Sequence, residues 1–255
     1  MMRGLFFVLV VVACSGLEAQ TPGEITLVAD EWCPYNCAPE TTDPGYLIEI
    51  TREVFEARGI RVRYVTTTWS RAIYGTRTGA FDGIIGTGRL ETPDFVFPES
   101  EQGISHHMFY TMPNRTWSYK DSTSLTGLVL GVIENYSYGS FWNAYVEENR
   151  HDKTKVQIVS GDDPLGRNLK KLEAGRIDVL VEDENVMNYH LSRQEESPSL
   201  FSAGEACEEK IYVAFSPMHP EAILYAEMLE AGVKALRESG RLAQILSKYH
   251  VTDWK

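Results

Sequence analysis

The feature that most constrains this 255-residue chain is an alternation, met twice, of short apolar runs with stretches of helical spacing. In the first series, Ile25-Thr26-Leu27-Val28-Ala29 reads as a strand. Leu47, Ile50, Val54 and Phe55 then line one helical face, closed by Gly59. A strand over 62–67, a helix over 70–78 and a strand over 81–86 follow. The second series places strands at 129–133, 156–159, 179–181 and 211–215 and helices at 139–149, 165–174 and 186–193. Two further helices are expected at 220–239 and 242–249. Such β-α-β-α-β order predicts an α/β protein with doubly wound, mostly parallel sheets. Two such units imply two lobes. Open α/β sheets bind ligands beyond the carboxyl ends of their strands, so two lobes set two binding edges across one cleft.

The N-terminus carries an export address. Arg3 precedes an apolar run, Leu5 to Ala13, followed by small and polar residues through Ala19. This is the layout of a secretory segment over 1–21, too short for a permanent bilayer span. Val11-Val12-Ala13-Cys14 resembles a lipobox, which would lipidate Cys14, and Leu17-Glu18-Ala19 is a rival plain cleavage site. The mature chain is therefore expected in the periplasm, free or tethered through lipid. A net charge of −12 argues against nucleic-acid binding and mildly favours a cationic ligand. Export implies an oxidising compartment, in which Cys33 and Cys37 are expected to pair across the bend at Pro34 and Asn36. A metal site would need further ligands at short spacing, and no His or Cys stands nearby. Cys207 is left as a buried thiol. His106 and His107 are adjacent, so on a strand they point to opposite faces and make no metal pair.

Several segments resemble one family in order and spacing over more than 200 residues. They include Gly45-Tyr46-Leu47-Ile48-Glu49-Ile50, Trp69 followed by Gly79-Ala80-Phe81-Asp82-Gly83, and Phe97-Pro98. Leu125-Thr126-Gly127 with Gly131-Val132-Ile133, and the run from Gly175 to Asp183, continue the series. The terminal Leu242, Ile245, Lys248 and Tyr249 complete it. The chain resembles the family 3 extracellular solute-binding proteins of bacterial ABC importers, which typically bind polar amino acids. The resemblance implies lobe 1 over 22–102 and 210–255 and lobe 2 over 103–209. Two crossings, near 99–103 and 208–211, would form the hinge.

It also marks candidate binding residues. Asp183 falls where the family has a carboxylate for a ligand amino group, and a helix N-cap is the rival role. Asn135-Tyr136-Ser137 precede a helix and could form an anion-binding corner, or simply cap that helix. Tyr35 and Trp69 stand at strand ends as cleft walls or as core. Gly86 and Thr87 end the third strand, where backbone and hydroxyl groups could meet a ligand. The family's carboxylate-clamping Arg is missing from Gly86-Thr87-Gly88-Arg89-Leu90-Glu91-Thr92-Pro93-Asp94, about three residues shorter here. Arg89 is the cation nearby, as substitute clamp or as a solvated loop residue.

The expected function is capture of a small polar ligand, an amino acid or related compound, by hinge closure, with delivery to an ABC permease. No cofactor, metal or catalysis is expected, and the protein should be a monomer. Two alternatives stand beside it. One is a periplasmic dehydratase on cyclohexadienyl acids, with Glu31, Glu91 or Glu182 as general acid. The other is a receptor-like sensor.

Overall fold

The computed structural model describes residues 23–255. The expected export segment over 1–21 and Cys14 lie outside the described residues. In chain order the elements are β1 (Gly23–Ala29), α1 (Tyr46–Glu56), β2 (Ile60–Thr66), α2 (Trp69–Arg77), β3 (Gly83–Thr87), β4 (Gly103–Thr111), β5 (Leu130–Ile133), α3 (Gly139–Asn149), β6 (Val156–Val159), α4 (Pro164–Glu173), β7 (Val179–Asp183), α5 (Glu184–Ser192), β8 (Phe201–Phe215), α6 (Ala222–Glu238) and α7 (Arg241–Lys248).

The strands run in the order β2-β1-β3-β8-β4-β7-β5-β6. At both ends of this order the pairings are parallel: β2 and β3 flank β1, and β6 and β7 flank β5. The three central pairings are antiparallel. The sheet is therefore mixed where the sequence predicts mostly parallel strands. The reason is the pair β4 and β8, which the apolar-run pattern does not identify in full.

β8 is 15 residues long and belongs to both halves. Its C-terminal end, Tyr212 to Phe215, pairs with β3, and Phe201 to Ile211 pairs with β4. The sequence predicts two sheets joined by crossings. The two halves are present, each with parallel pairings of its own, and one strand threads both, so that the architecture is two-lobed with a curled sheet. The chain passes between the halves where Gly103 pairs with Ile211. Gln102 secures that passage: its N–H donates to Ile211 O at 2.9 Å, and Val213 N donates to its side-chain oxygen at 3.0 Å.

Helices α1, α6 and α7 cover one half. Leu47, Ile50, Val54 and Phe55 bury one face of α1, as the 3.6-residue period requires. Gly232 lets α6 approach closely, since a Cβ there would lie 2.4 Å from Val54 Cγ1. In the other half, Phe109, Leu130, Val132, Tyr138, Trp142 and Val181 form a separate apolar cluster. The largest cluster joins the halves, from Tyr35 and Tyr46 to Tyr110, Leu180 and Val186.

Candidate functional site

A cavity of about 830 Å³ opens between the halves, within the range of small-molecule sites. Each wall follows from a local fold. After β1 the chain makes a tight turn closed by the Cys33–Cys37 disulfide, the pairing the sequence predicts. Trp32 N donates to Asn36 O at 2.7 Å, and Asn36 N returns to Trp32 O at 3.1 Å. The turn stacks the rings of Trp32 and Tyr35, with centroids 4.0 Å apart and planes 9° apart. Trp32 lines the cavity, and Tyr35 stands behind it, fully buried. Gly45 makes this packing possible. At φ 108° it brings α1 against the turn, where a Cβ would lie 2.4 Å from Tyr35 O.

Of the residues the sequence predicts, Trp69, Gly86, Arg89, Asn135, Tyr136 and Ser137 line the cavity; Tyr35, Thr87 and Asp183 do not. Trp69 opens α2 and donates its indole N–H to Glu91 Oε1 at 2.7 Å. Thr87 is buried against Thr92, their hydroxyls 3.0 Å apart. Asp183 caps α5: its Oδ1 accepts from Val186 N at 2.8 Å. Its Oδ2 accepts from Ser105 Oγ at 2.7 Å and from Tyr35 Oη at 2.9 Å. Burial raises its pKa to about 6.

Arg89 does not stand free. It donates to Pro98 O at 2.5 Å and to Glu99 O at 3.3 Å, and its guanidinium lies about 5 Å from the rings of Phe97 and Tyr212. Asn135 takes a left-handed conformation, φ 63°, as the chain leaves β5. Asn143 then ties the following turn by accepting from Tyr138 N at 2.8 Å and donating to Ser137 Oγ at 3.1 Å. The first turn of α3 faces the cavity through Gly139, Ser140, Phe141 and Trp142.

The sequence reading missed a second set of lining residues: Asp30, Trp32, His107, Glu208, Glu209 and Tyr212. Asp30 and Trp32 follow β1, and their proximity to its carboxyl end was the available clue. His107 belongs to β4 and Glu208 and Glu209 to the part of β8 that polar composition hid, whereas Tyr212 lies within the strand predicted over 211–215. His106 and His107 do point to opposite faces, His106 to Glu205 at 3.1 Å and His107 into the interior. Cys207 is a half-buried wall residue where a core thiol was expected. Its thiol donates to Tyr138 O at 3.1 Å, and burial pushes its pKa up to about 12, so it is not a reactive thiolate.

Carboxylates outnumber cations in the lining. Asp30, Glu91, Asp121, Glu208 and Glu209 stand against Arg89, Lys120 and Lys210. Lys210 is paired with Glu101 at 3.2 Å. Burial, with the charges of Glu91 and Glu31 adding, pushes Asp30 up to about 6. Burial and Glu91 raise Glu209 as well. Burial depresses His107 to about 4, so it is neutral at pH 7. Of the candidate general acids, Glu91 lines the cavity. Glu31 and Glu182 do not, and burial pushes Glu182 up to about 8. Among the described residues no cluster of three or more His, Cys, Asp or Glu could hold a metal, and no helix is long and apolar enough to cross a membrane.

Solved structures share this architecture. A probable amino-acid ABC transporter extracellular-binding protein, ytmK from Bacillus subtilis, is 13% identical over 89% of this chain and 97% of its own, with a TM-score of 0.68. A histidine kinase sensor domain with similarity to periplasmic binding proteins is 19% identical over 89% of this chain and 95% of its own, at 0.67. An ancestral amino acid-binding protein, a precursor of cyclohexadienyl dehydratase, is 15% identical over 89% and 95%, at 0.63. At these identities the likeness carries the fold alone. No protein-family model matches the chain, and no curated protein matches it.

Proposed function

We propose that this protein is an exported solute-binding protein of the family 3 type, which captures a small polar ligand by hinge closure and hands it to an ABC permease. One observation carries this reading: an aromatic-walled cavity lies between two halves that share the β4/β8 ribbon as their connection. The moving bodies are residues 23–102 with 210–255, and residues 103–209. Trp32, Trp69 and Arg89 would approach the ligand from the first body, and Asn135, Tyr136 and Ser137 from the second. A ligand touching both favours the closed arrangement by its differential affinity for that state. The likeness to a probable amino-acid transporter binding protein supports an amino acid or related compound as the ligand class.

The test is titration of ligand-stripped protein with amino acids and small polar compounds, read by thermal shift and by small-angle scattering. Binding should raise the melting temperature and shrink the radius of gyration. Absence of both effects with every compound defeats the reading.

A second reading comes from the fold shared with a kinase sensor domain and with a dehydratase precursor. Closure would then signal to a membrane kinase, or Glu91 would serve as an acid in dehydration. Turnover of prephenate or arogenate decides for the enzyme, and a neighbouring kinase gene for the sensor.

A further inference from the structure

The strongest electrostatic feature of the cavity is what it offers a positive charge. Glu91 stands between two other carboxylates in effect: its charge acts on both Asp30 and Glu209, and all three line the cavity. Asp30 follows β1, Glu91 lies in the loop after β3, and Glu209 is on β8, so three separate elements bring these carboxylates to one cavity. The repulsion of Glu91 on each of the other two leaves a place that a cation would stabilise.

Two buried polar atoms point the same way. His107 lines the cavity, is 2% exposed, and its Nδ1 has no hydrogen-bond partner. Its tautomer follows from its neighbours. Ser105 Oγ gives its proton to Asp183 Oδ2, so at 3.2 Å it accepts from His107 Nε2–H, and Nδ1 is left as a bare acceptor. Asn36 also lines the cavity, at 1% exposed, and its Oδ1 is unpartnered. That oxygen lies beside Gly86, where a Cβ would meet it at 2.9 Å. Unmet acceptors in a cavity call for a ligand rich in N–H donors. Trp32 and Trp69 add aromatic faces suited to a cation.

The cavity offers an anion less. The guanidinium of Arg89 is spent on two backbone carbonyls, and Lys210 on Glu101. Lys120 lies in the lining but is exposed.

We propose that the ligand of this cleft is an organic cation, recognised by its positive end between Asp30, Glu91 and Glu209 and not by a carboxylate. This rests on the ligand-capture reading above. Calorimetric titration of ligand-stripped protein with arginine, citrulline, agmatine, putrescine, choline, glutamine and glutamate tests it. Arginine and citrulline differ chiefly in charge, and arginine and agmatine in the carboxylate. Cationic members should bind, with citrulline at least about tenfold weaker than arginine and agmatine within about tenfold of it. Glu91→Gln, at an exposed position, should leave the unliganded protein folded, with a melting temperature no lower than that of the wild type, and remove the preference for arginine over citrulline. The proposal is overturned, with ligand capture still standing, if citrulline matches arginine, if agmatine falls more than about tenfold behind it, or if glutamine or glutamate binds best. Silence across the whole panel overturns both.

Discussion

Tyr35 Oη lies 2.9 Å from Asp183 Oδ2, and this contact joins the disulfide turn of one half to the N-cap of α5 in the other. Asn185 Nδ2 completes it by donating to the same phenol at 3.0 Å. Both residues are fully buried. The carboxylate thus serves as a helix cap and as a tie between the halves, beneath the wall formed by Trp32.

If this is the main work of Asp183, its loss is felt in stability before binding. Asp183→Ala removes the α5 cap and the acceptor of the Ser105 hydroxyl, and leaves Tyr35 Oη only Ile104 O, at 3.0 Å, to donate to, a cost of about 3 kcal/mol. Tyr35→Phe removes one hydroxyl and should cost about 1 kcal/mol. Urea denaturation of both variants checks the order. Unchanged stability in Asp183→Ala, together with abolished ligand binding, would contradict the capping role.

The pH profile of stability should have a defined shape. Glu182 is fully buried and burial pushes its folded pKa up from 4.5 to about 8, so its contribution is complete below 4.5 and is lost as pH rises through 8. Asp183, raised from 3.8 to about 6, acts in the same direction. His107 is depressed from 6.5 to about 4, so its contribution is present above 6.5 and lost as pH falls through 4. Between pH 4.5 and 6 the two carboxyl groups together outweigh His107, and above 6.5 Glu182 acts alone, so stability should fall as pH rises from about 4.5 to about 8. Glu182→Gln should flatten the alkaline decline, which is worth on the order of a few kcal/mol. Melting temperatures from pH 4 to pH 9 measure it.

Much of this fold was legible because helical and strand periods are local. The α3 range of 139–149 and the β6 range of 156–159 are those the sequence predicts. The failures share a physical cause. β4 reads Gly-Ile-Ser-His-His-Met-Phe-Tyr-Thr, and the part of β8 that pairs with it carries Glu205, Glu208 and Glu209. Neither looks like a buried apolar run, because each becomes a strand through pairing with the other, not through its own composition. His107 and Glu209 were lost to the site for the same reason. The position of Asp183 suits both a ligand contact and a helix cap, and sequence does not separate the two because both roles need a carboxylate at the end of a strand. Tyr35 shows a finer limit: it and Trp32 flank one disulfide turn, and only the turn's geometry decides which ring faces the cavity.

The disulfide itself should contribute modestly. Its loop is short, with a sequence separation of 4, so little chain entropy is removed from the unfolded state. Replacing both Cys33 and Cys37 by Ser should cost about 2 kcal/mol on the chain-entropy account. Because the same turn carries Trp32, ligand affinity should fall along with stability. Chemical denaturation and titration of the double variant test the two effects separately, and full affinity would show that the hydrogen bonds between Trp32 and Asn36 suffice to hold the turn.

The pairing of Trp69 with Glu91 allows the aromatic wall to be separated from the charge it positions. The indole N–H donates to Glu91 Oε1 at 2.7 Å, a charge-assisted bond at a half-exposed site. Trp69→Phe keeps a ring and deletes the donor, whereas Trp69→Ala deletes both. If the ring covers the ligand, Trp69→Ala should weaken binding more than Trp69→Phe, by about tenfold, the range of one cation–π contact in a partly desolvated site. If the N–H matters mainly by orienting Glu91, the two variants should lose affinity equally. Trp69→Phe should leave the unfolding midpoint nearly unchanged, whereas Trp69→Ala should lower it, since the ring also packs against the cluster of Val28, Ala72 and Ile84. Equal affinity in wild type and both variants would remove Trp69 from the site altogether.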